Sequence, residues 1–250
     1  VSISAVKQAL EEAAGNEEKA IEILRKRGEA QAVKKSAREQ REGAVAIEKS
    51  GNKAAIVQLA CETDFVARGD DFRNCLQHLA KTALAKGPDA ARQEATSILP
   101  ALVQKLGENI AVADANVVTG GTLGAYVHSN AKIGVIVALD PSTSSGQAGK
   151  WEDIAKDVAM HAAAMAPQFV SPEEVSAEAV EKEKEIWREQ LKKEGKPEAI
   201  WDKIMMGKEK KFREAHALLT QPFAKDPSKK VEQILSGAKV ISYVRLSVGE

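Results

Sequence analysis

The residue types best suited to chemistry gather in one octapeptide, Cys61-Glu62-Thr63-Asp64-Phe65-Val66-Ala67-Arg68, directly after an apolar run at 54–60. The run predicts a strand, the octapeptide a turn, and Gly69-Asp70-Asp71 the start of a helix. Such a turn presents a carboxylate beside a large aromatic ring. An Asp-Phe pair held between a strand and a helix makes a wedge: the ring enters an apolar crevice of a partner, and the carboxylate repels anions or competes for a cation near it. The same ring could instead plug this chain's own core, the commonest use of a buried aromatic.

Other candidate chemistry is weaker. Cys61 and His78 could pair as nucleophile and base, but no third orienting residue and no oxyanion-hole sequence accompany them. Ser144-Ser145-Gly146-Gln147-Ala148-Gly149-Lys150-Trp151 looks like a phosphate loop at a glance. It carries Ser144 where the first Gly belongs and Trp151 where Ser or Thr should meet magnesium, so 140–149 reads as a flexible loop of small residues. His78, His128, His161 and His216 lack metal-ligand spacing. No cofactor, no metal and no catalytic residue are expected.

The elements that must position the octapeptide follow from length and periodicity. At 250 residues the chain can bury one or two cores. Lys+Arg and Asp+Glu are equal at 36 each, so no global field attracts nucleic acid or an anionic membrane. No apolar run approaches a membrane span and no signal-peptide pattern opens the chain. Cys61 and Cys75 read as free thiols of a reducing compartment, the cytoplasm or an organelle matrix.

Two short helices are predicted at 4–14 and from Glu17 to about Gly28, with Asn16 as an N-cap between them. The basic stretch that follows, with Lys34, Lys35, Arg38 and Arg41 among interleaved acids, reads as a solvated helix or linker. A hairpin follows at 45–49 and 54–60 about Gly51-Asn52, then a helix at 71–85 with Phe72, Cys75, Leu76, Leu79 and Ala83 on one face. A second helix at 90–106 should kink or restart at Pro100. Strands are expected at 109–118, 122–128, 132–139 and 239–248. A helix at 151–165 should cover a sheet with Ile154, Val158, Ala162 and Met165. Between 176 and 219 two Glu/Lys-rich helices flank Gly195-Lys196-Pro197 and form an antiparallel hairpin. The fold class is α+β, a sandwich of sheets and helices.

The octapeptide resembles the Asn-Cys-Glu-Thr-Asp-Phe-Val-Ala-Arg signature of the elongation factor Ts family, the nucleotide exchange factors of elongation factor Tu. Further family-like segments follow in order: Gly107-Glu108-Asn109-Ile110, Ala159-Met160-His161, Val180-Glu181-Lys182-Glu183, Gly195-Lys196-Pro197, Gln221-Pro222-Phe223 and Asp226-Pro227. The resemblance runs from end to end. It implies a ubiquitin-associated-like helical head at 1–28, whose first helix would fall before Val1, and a basic linker at 29–42. It also implies a core of two related subdomains, 43–120 and 121–175 with 220–250, and a helical hairpin arm at 176–219. The loop at 140–149 looks like an insertion relative to the family.

The implied partner is elongation factor Tu, GDP-bound and nucleotide-free, with no direct nucleic acid and no membrane. Phe65 would enter its GTP-binding domain near the magnesium site, with Thr63, Asp64 and Val66 around the ring. Met160 and His161 would make a second contact, although His161 also reads as a half-buried helix histidine against the sheet. Ala60 replaces the family's usual Asn, and Val112-Ala113-Asp114 stands where paired arginines are common. The alternatives are a scaffold or chaperone-like adaptor using the arm, without exchange activity, and a hydrolase using Cys61.

Overall fold

Strands buried on both faces read in sequence as unbroken apolar runs, and two such strands form the centre of the molecule. In β5 (Ile133–Asp140), Val135, Val137 and Leu139 face one way, Ile136 and Ala138 the other, and all are fully buried. In β2 (Lys53–Cys61) the same holds for Ala55, Val57 and Leu59 against Ala54 and Ile56. The computed structural model describes residues 3–141 and 148–249.

Each central strand sits in its own three-stranded antiparallel sheet. The first has the order β1 (Glu42–Ser50), β2, β3 (Ala111–Thr119). Gly51-Asn52 closes the β1–β2 hairpin, and Gly51 has the positive φ of 56° that a two-residue turn demands. The second has the order β4 (Thr122–Val127), β5, β6 (Lys239–Ser247). Their inner faces meet where Val45, Ile56 and Val118 pack with Leu123, Ile136 and Leu246.

Helices cover both outer faces. On the first sheet α4 (Asp70–Lys86) brings Phe72, Leu76 and Leu79, and α5 (Pro88–Leu106) brings Ala95, Leu99 and Val103. On the second, α6 (Ala148–Met165) contributes Ala155, Val158 and Ala162, joined by Leu218, Phe223 and Leu235. Met165, expected in this layer, lies exposed at the helix end. The architecture is α+β. No described helix is long and apolar enough to cross a membrane.

Tertiary packing overrides two local stop signals. Beyond α1 (Ile3–Glu12), α2 (Glu17–Lys35) continues through Gly28, where an end was expected. A Cβ at residue 28 would come within 3.1 Å of Gln104 Oε1 and 3.5 Å of the Pro100 carbonyl, so the glycine lets α2 lie close along α5. Ala32, one turn on, packs into the first core. Likewise α5 runs unbroken through Pro100 instead of restarting, with Leu99 and Val103 buried on either side of it.

The arm is a helical pair, α7 (Ala177–Lys193) and α8 (Trp201–His216), with a core of its own. Trp187, Leu191 and Met205 are buried in it, and Trp187 meets Phe212 edge-on with ring centres 5.9 Å apart. Lys184 bridges to Glu209 at 2.9 Å across the pair. At its base Arg213 donates to the Val175 carbonyl at 2.7 Å. The first half of the phosphate-loop lookalike, 144–147, lies outside the described residues.

Candidate partner-contact site

The octapeptide is not an open turn. Its second half is a short helix, α3 (Asp64–Arg68), inserted between β2 and α4. Thr63 is extended, with φ −127° and ψ 154°, and its hydroxyl accepts the Val66 amide at 3.4 Å as an N-cap. Asp64 occupies the first turn, where a carboxylate suits the positive end of the helix. Arg68 reaches back to it at 2.9 Å. Both side chains are solvated, so this ion pair contributes little to stability.

One side of α3 is anchored and the other is bare. Ala67 is buried in the first core and Val66 packs against it. Phe65, immediately before them in sequence, is 85% exposed. The core-plug reading of this ring is therefore corrected. An exposed phenyl leaves its apolar area in water, a cost near 25 cal/mol per Å² that only a partner can recover.

The cap is tied to a second loop. One oxygen of the Glu108 carboxylate accepts the amides of Glu62 and Thr63, each at 3.0 Å. The other accepts the Thr63 hydroxyl at 2.5 Å. In return Glu62 accepts the Asn109 amide at 2.7 Å. The sequence flagged Gly107-Glu108-Asn109-Ile110 only as a family-like segment. Its contact with the wedge spans 45 residues of chain, which no local pattern reveals.

Cys61, next to the cap, has no exposed surface and donates its thiol to the Thr63 carbonyl at 3.2 Å. Burial, with the nearby Glu108 carboxylate adding to it, pushes the thiol up to about 12. A buried, protonated thiol packs; it does not attack. His78, imagined as its base, pairs instead with Glu94 at 2.8 Å. Among the described residues no three His, Cys, Asp or Glu side chains form a group that could hold a metal ion.

The second expected contact is only partly on the surface. His161, on α6, is 1% exposed. Its Nε2 donates to Gln221 Oε1 at 3.0 Å, and its Nδ1 accepts the Ala224 amide at 3.1 Å, which defines a neutral ring. Phe223 packs beside it with ring centres 5.9 Å apart. His161 therefore ties α6 to the 221–224 segment and offers no contact surface of its own. Met160 is half-buried and lines a cavity of about 430 Å³ with Tyr126, His128, Ile133 and Lys225.

Burial holds His161 below its ordinary value of 6.5, against the opposing Gln221 hydrogen bond. As pH falls through 6.5 the unfolded chain therefore takes up this proton before the folded one does. The contribution is complete above that value and is lost as pH drops toward the lower folded value. The wild-type melting temperature should fall more steeply between pH 7 and pH 5 than that of His161→Gln, because every other titrating group is common to both. Parallel thermal-unfolding profiles would show that His161 is not held neutral.

A family model described as elongation factor TS matches residues 62–250. The chain is 41% identical over 256 aligned positions to elongation factor Ts of Francisella tularensis subsp. tularensis, a match covering 98% of this chain and 86% of the relative. Elongation factor Ts of Idiomarina loihiensis is 41% identical over 255 positions, covering 98% of this chain and 85% of the relative.

Proposed function

This chain belongs to the elongation factor Ts family, and on that premise we propose that it promotes GDP release from elongation factor Tu by inserting Phe65 near the partner's magnesium site. The observation that carries the reading is the 85% exposure of Phe65 on a capped, anchored helix. The factor would bind both the GDP-bound and the nucleotide-free partner. Asp64 would stand beside the ring and disturb the elements that hold the magnesium, and Thr63 and Val66 would set the ring's direction.

Linkage gives the mechanism its form. If the factor weakens GDP binding, GDP weakens the factor's binding by the same ratio. A wedge meets this condition when its ring is buried only in the partner conformation that distorts the nucleotide site. Burying one Phe gains about 1.5–3 kcal/mol, or about one to two factors of ten. The remainder must come from a wider interface, to which Met160 and its cavity would contribute, with His161 as a buried support.

The reading includes an exchange factor without hydrolytic or transfer chemistry of its own, acting in the cytoplasm. It also carries the division into a head, two subdomains at 43–120 and 121–175 with 220–250, and an arm at 176–219. The separate helical cover on each sheet supports that division, as does the arm's own core.

The adaptor reading keeps one observation in its favour: Met206 on the arm is 73% exposed, with Ile200 and Ile186 also in solvent. Stopped-flow release of labelled GDP from elongation factor Tu separates the two. Exchange predicts release that accelerates with added chain and saturates. Binding without any acceleration would leave the adaptor and remove the exchange reading.

A further inference from the structure

We infer that Glu108 is a positioning residue of the wedge, the group outside α3 that fixes the direction in which Phe65 points. The inference rests on the exchange reading and goes beyond it, because Glu108 would touch neither partner nor nucleotide.

A helix as short as Asp64–Arg68 has no stability of its own, since forming a first turn orders several residues for very few hydrogen bonds. Phe65 cannot hold itself either, because its ring has almost no neighbours in this chain. The direction of the ring is imposed by the Ala67 and Val66 contacts that seat the helix on the core and by what grips the helix ends. At the C-terminal end Gly69 is extended and donates its amide to the Val66 carbonyl at 3.0 Å. At the N-terminal end the grip comes from Glu108. Its carboxylate takes the two amides entering the cap and the cap hydroxyl itself.

The hydroxyl contact matters most. Thr63 Oγ1 accepts from Val66 and donates to Glu108, so the carboxylate selects the hydroxyl orientation that caps α3. Hydrogen bonds to a charged acceptor are stronger than neutral ones, and three converge here. The far side of the loop is equally held. Asn109 is buried, and its side-chain amide donates to the carbonyls of Ser36, at 3.3 Å, and Arg38, at 2.8 Å. Arg38 in turn lies 3.5 Å from Glu62. The wedge, the 107–109 loop and the segment following α2 are thus tied in one knot.

The test is a double-mutant cycle on GDP release from elongation factor Tu at saturating factor, using Glu108→Ala, Phe65→Ala and the two combined. Glu108→Ala should lower the maximal release rate about tenfold through loss of these hydrogen bonds. Glu108→Gln keeps an acceptor for the amides and should recover part of that loss. In the Phe65→Ala background, Glu108→Ala should change the rate by less than about twofold, because two groups acting as a unit are not additive. A purely structural residue would cost the same in both backgrounds, and that outcome overturns the inference.

Thr63→Val removes the hydroxyl at an exposed position, and with it both the Glu108 link and the Val66 cap bond, so it breaks the same contact even if Glu108→Ala does not fold. A parental rate in folded Glu108→Ala or in Thr63→Val, beside a slowed Phe65→Ala, removes the Glu108 inference alone. A parental rate in Phe65→Ala removes the wedge reading and this inference with it.

Discussion

Phe65→Ala should slow GDP release from elongation factor Tu by about one to two factors of ten, the value of one buried Phe ring. It should leave thermal unfolding almost unchanged. The two effects separate because the ring is 85% exposed in the free chain and contributes almost nothing to its core. Large-to-small changes cost stability through lost burial and the cavity left behind, and neither arises at a solvated ring. Its neighbour Ala67 is buried and keeps α3 seated. The measurement pairs melting temperature with the maximal release rate per folded molecule. A marked fall in melting temperature with an undiminished rate would return Phe65 to the core and end the wedge reading.

Much of this arrangement is legible in sequence, and what is not has identifiable causes. The apolar runs at 54–60 and 132–139 announce strands because burial on both faces removes the alternation that would otherwise mark a solvated side. The face Phe72, Leu76, Leu79 of α4 is readable for the complementary reason, a helical stripe against one sheet. Elements that depend on distant partners are hidden. The five residues after Thr63 read as a turn because the carboxylate that steadies their cap comes from Glu108, on another loop. α2 continues past Gly28 because α5 lies against it there, and a lone glycine in sequence carries no trace of that neighbour. The site divides along the same line. Residue types mark Asp64 and Phe65 as a wedge, yet only packing decides that Phe65 faces solvent while His161 is sealed beneath the 221–224 segment.

The largest loss of stability should come from adding one methyl group at Gly124. β4 crosses α6 there so closely that a Cβ would lie 2.0 Å from the Ala155 carbonyl carbon and 2.4 Å from the Lys156 amide nitrogen. Both are backbone atoms of a helix whose Ala155, Val158 and Ala162 are fully buried, so no side chain can swing aside to make room. Relief requires α6 and the second sheet to separate, which opens the core between them. Overpacking of this kind costs about 3 kcal/mol or more, and at this chain length that lowers the melting temperature by about 6–12 °C. Gly207→Ala is the matched control. It lies in α8 with nothing within 4 Å of the added Cβ, and alanine in a helix interior is favoured over glycine by about 0.8–1 kcal/mol. The same substitution should therefore destabilise at one site and stabilise at the other, read by thermal unfolding of the two variants side by side. A Gly124→Ala protein that melts with the wild type would mean that β4 and α6 do not approach this closely, and the packing of the second sheet would have to be redrawn.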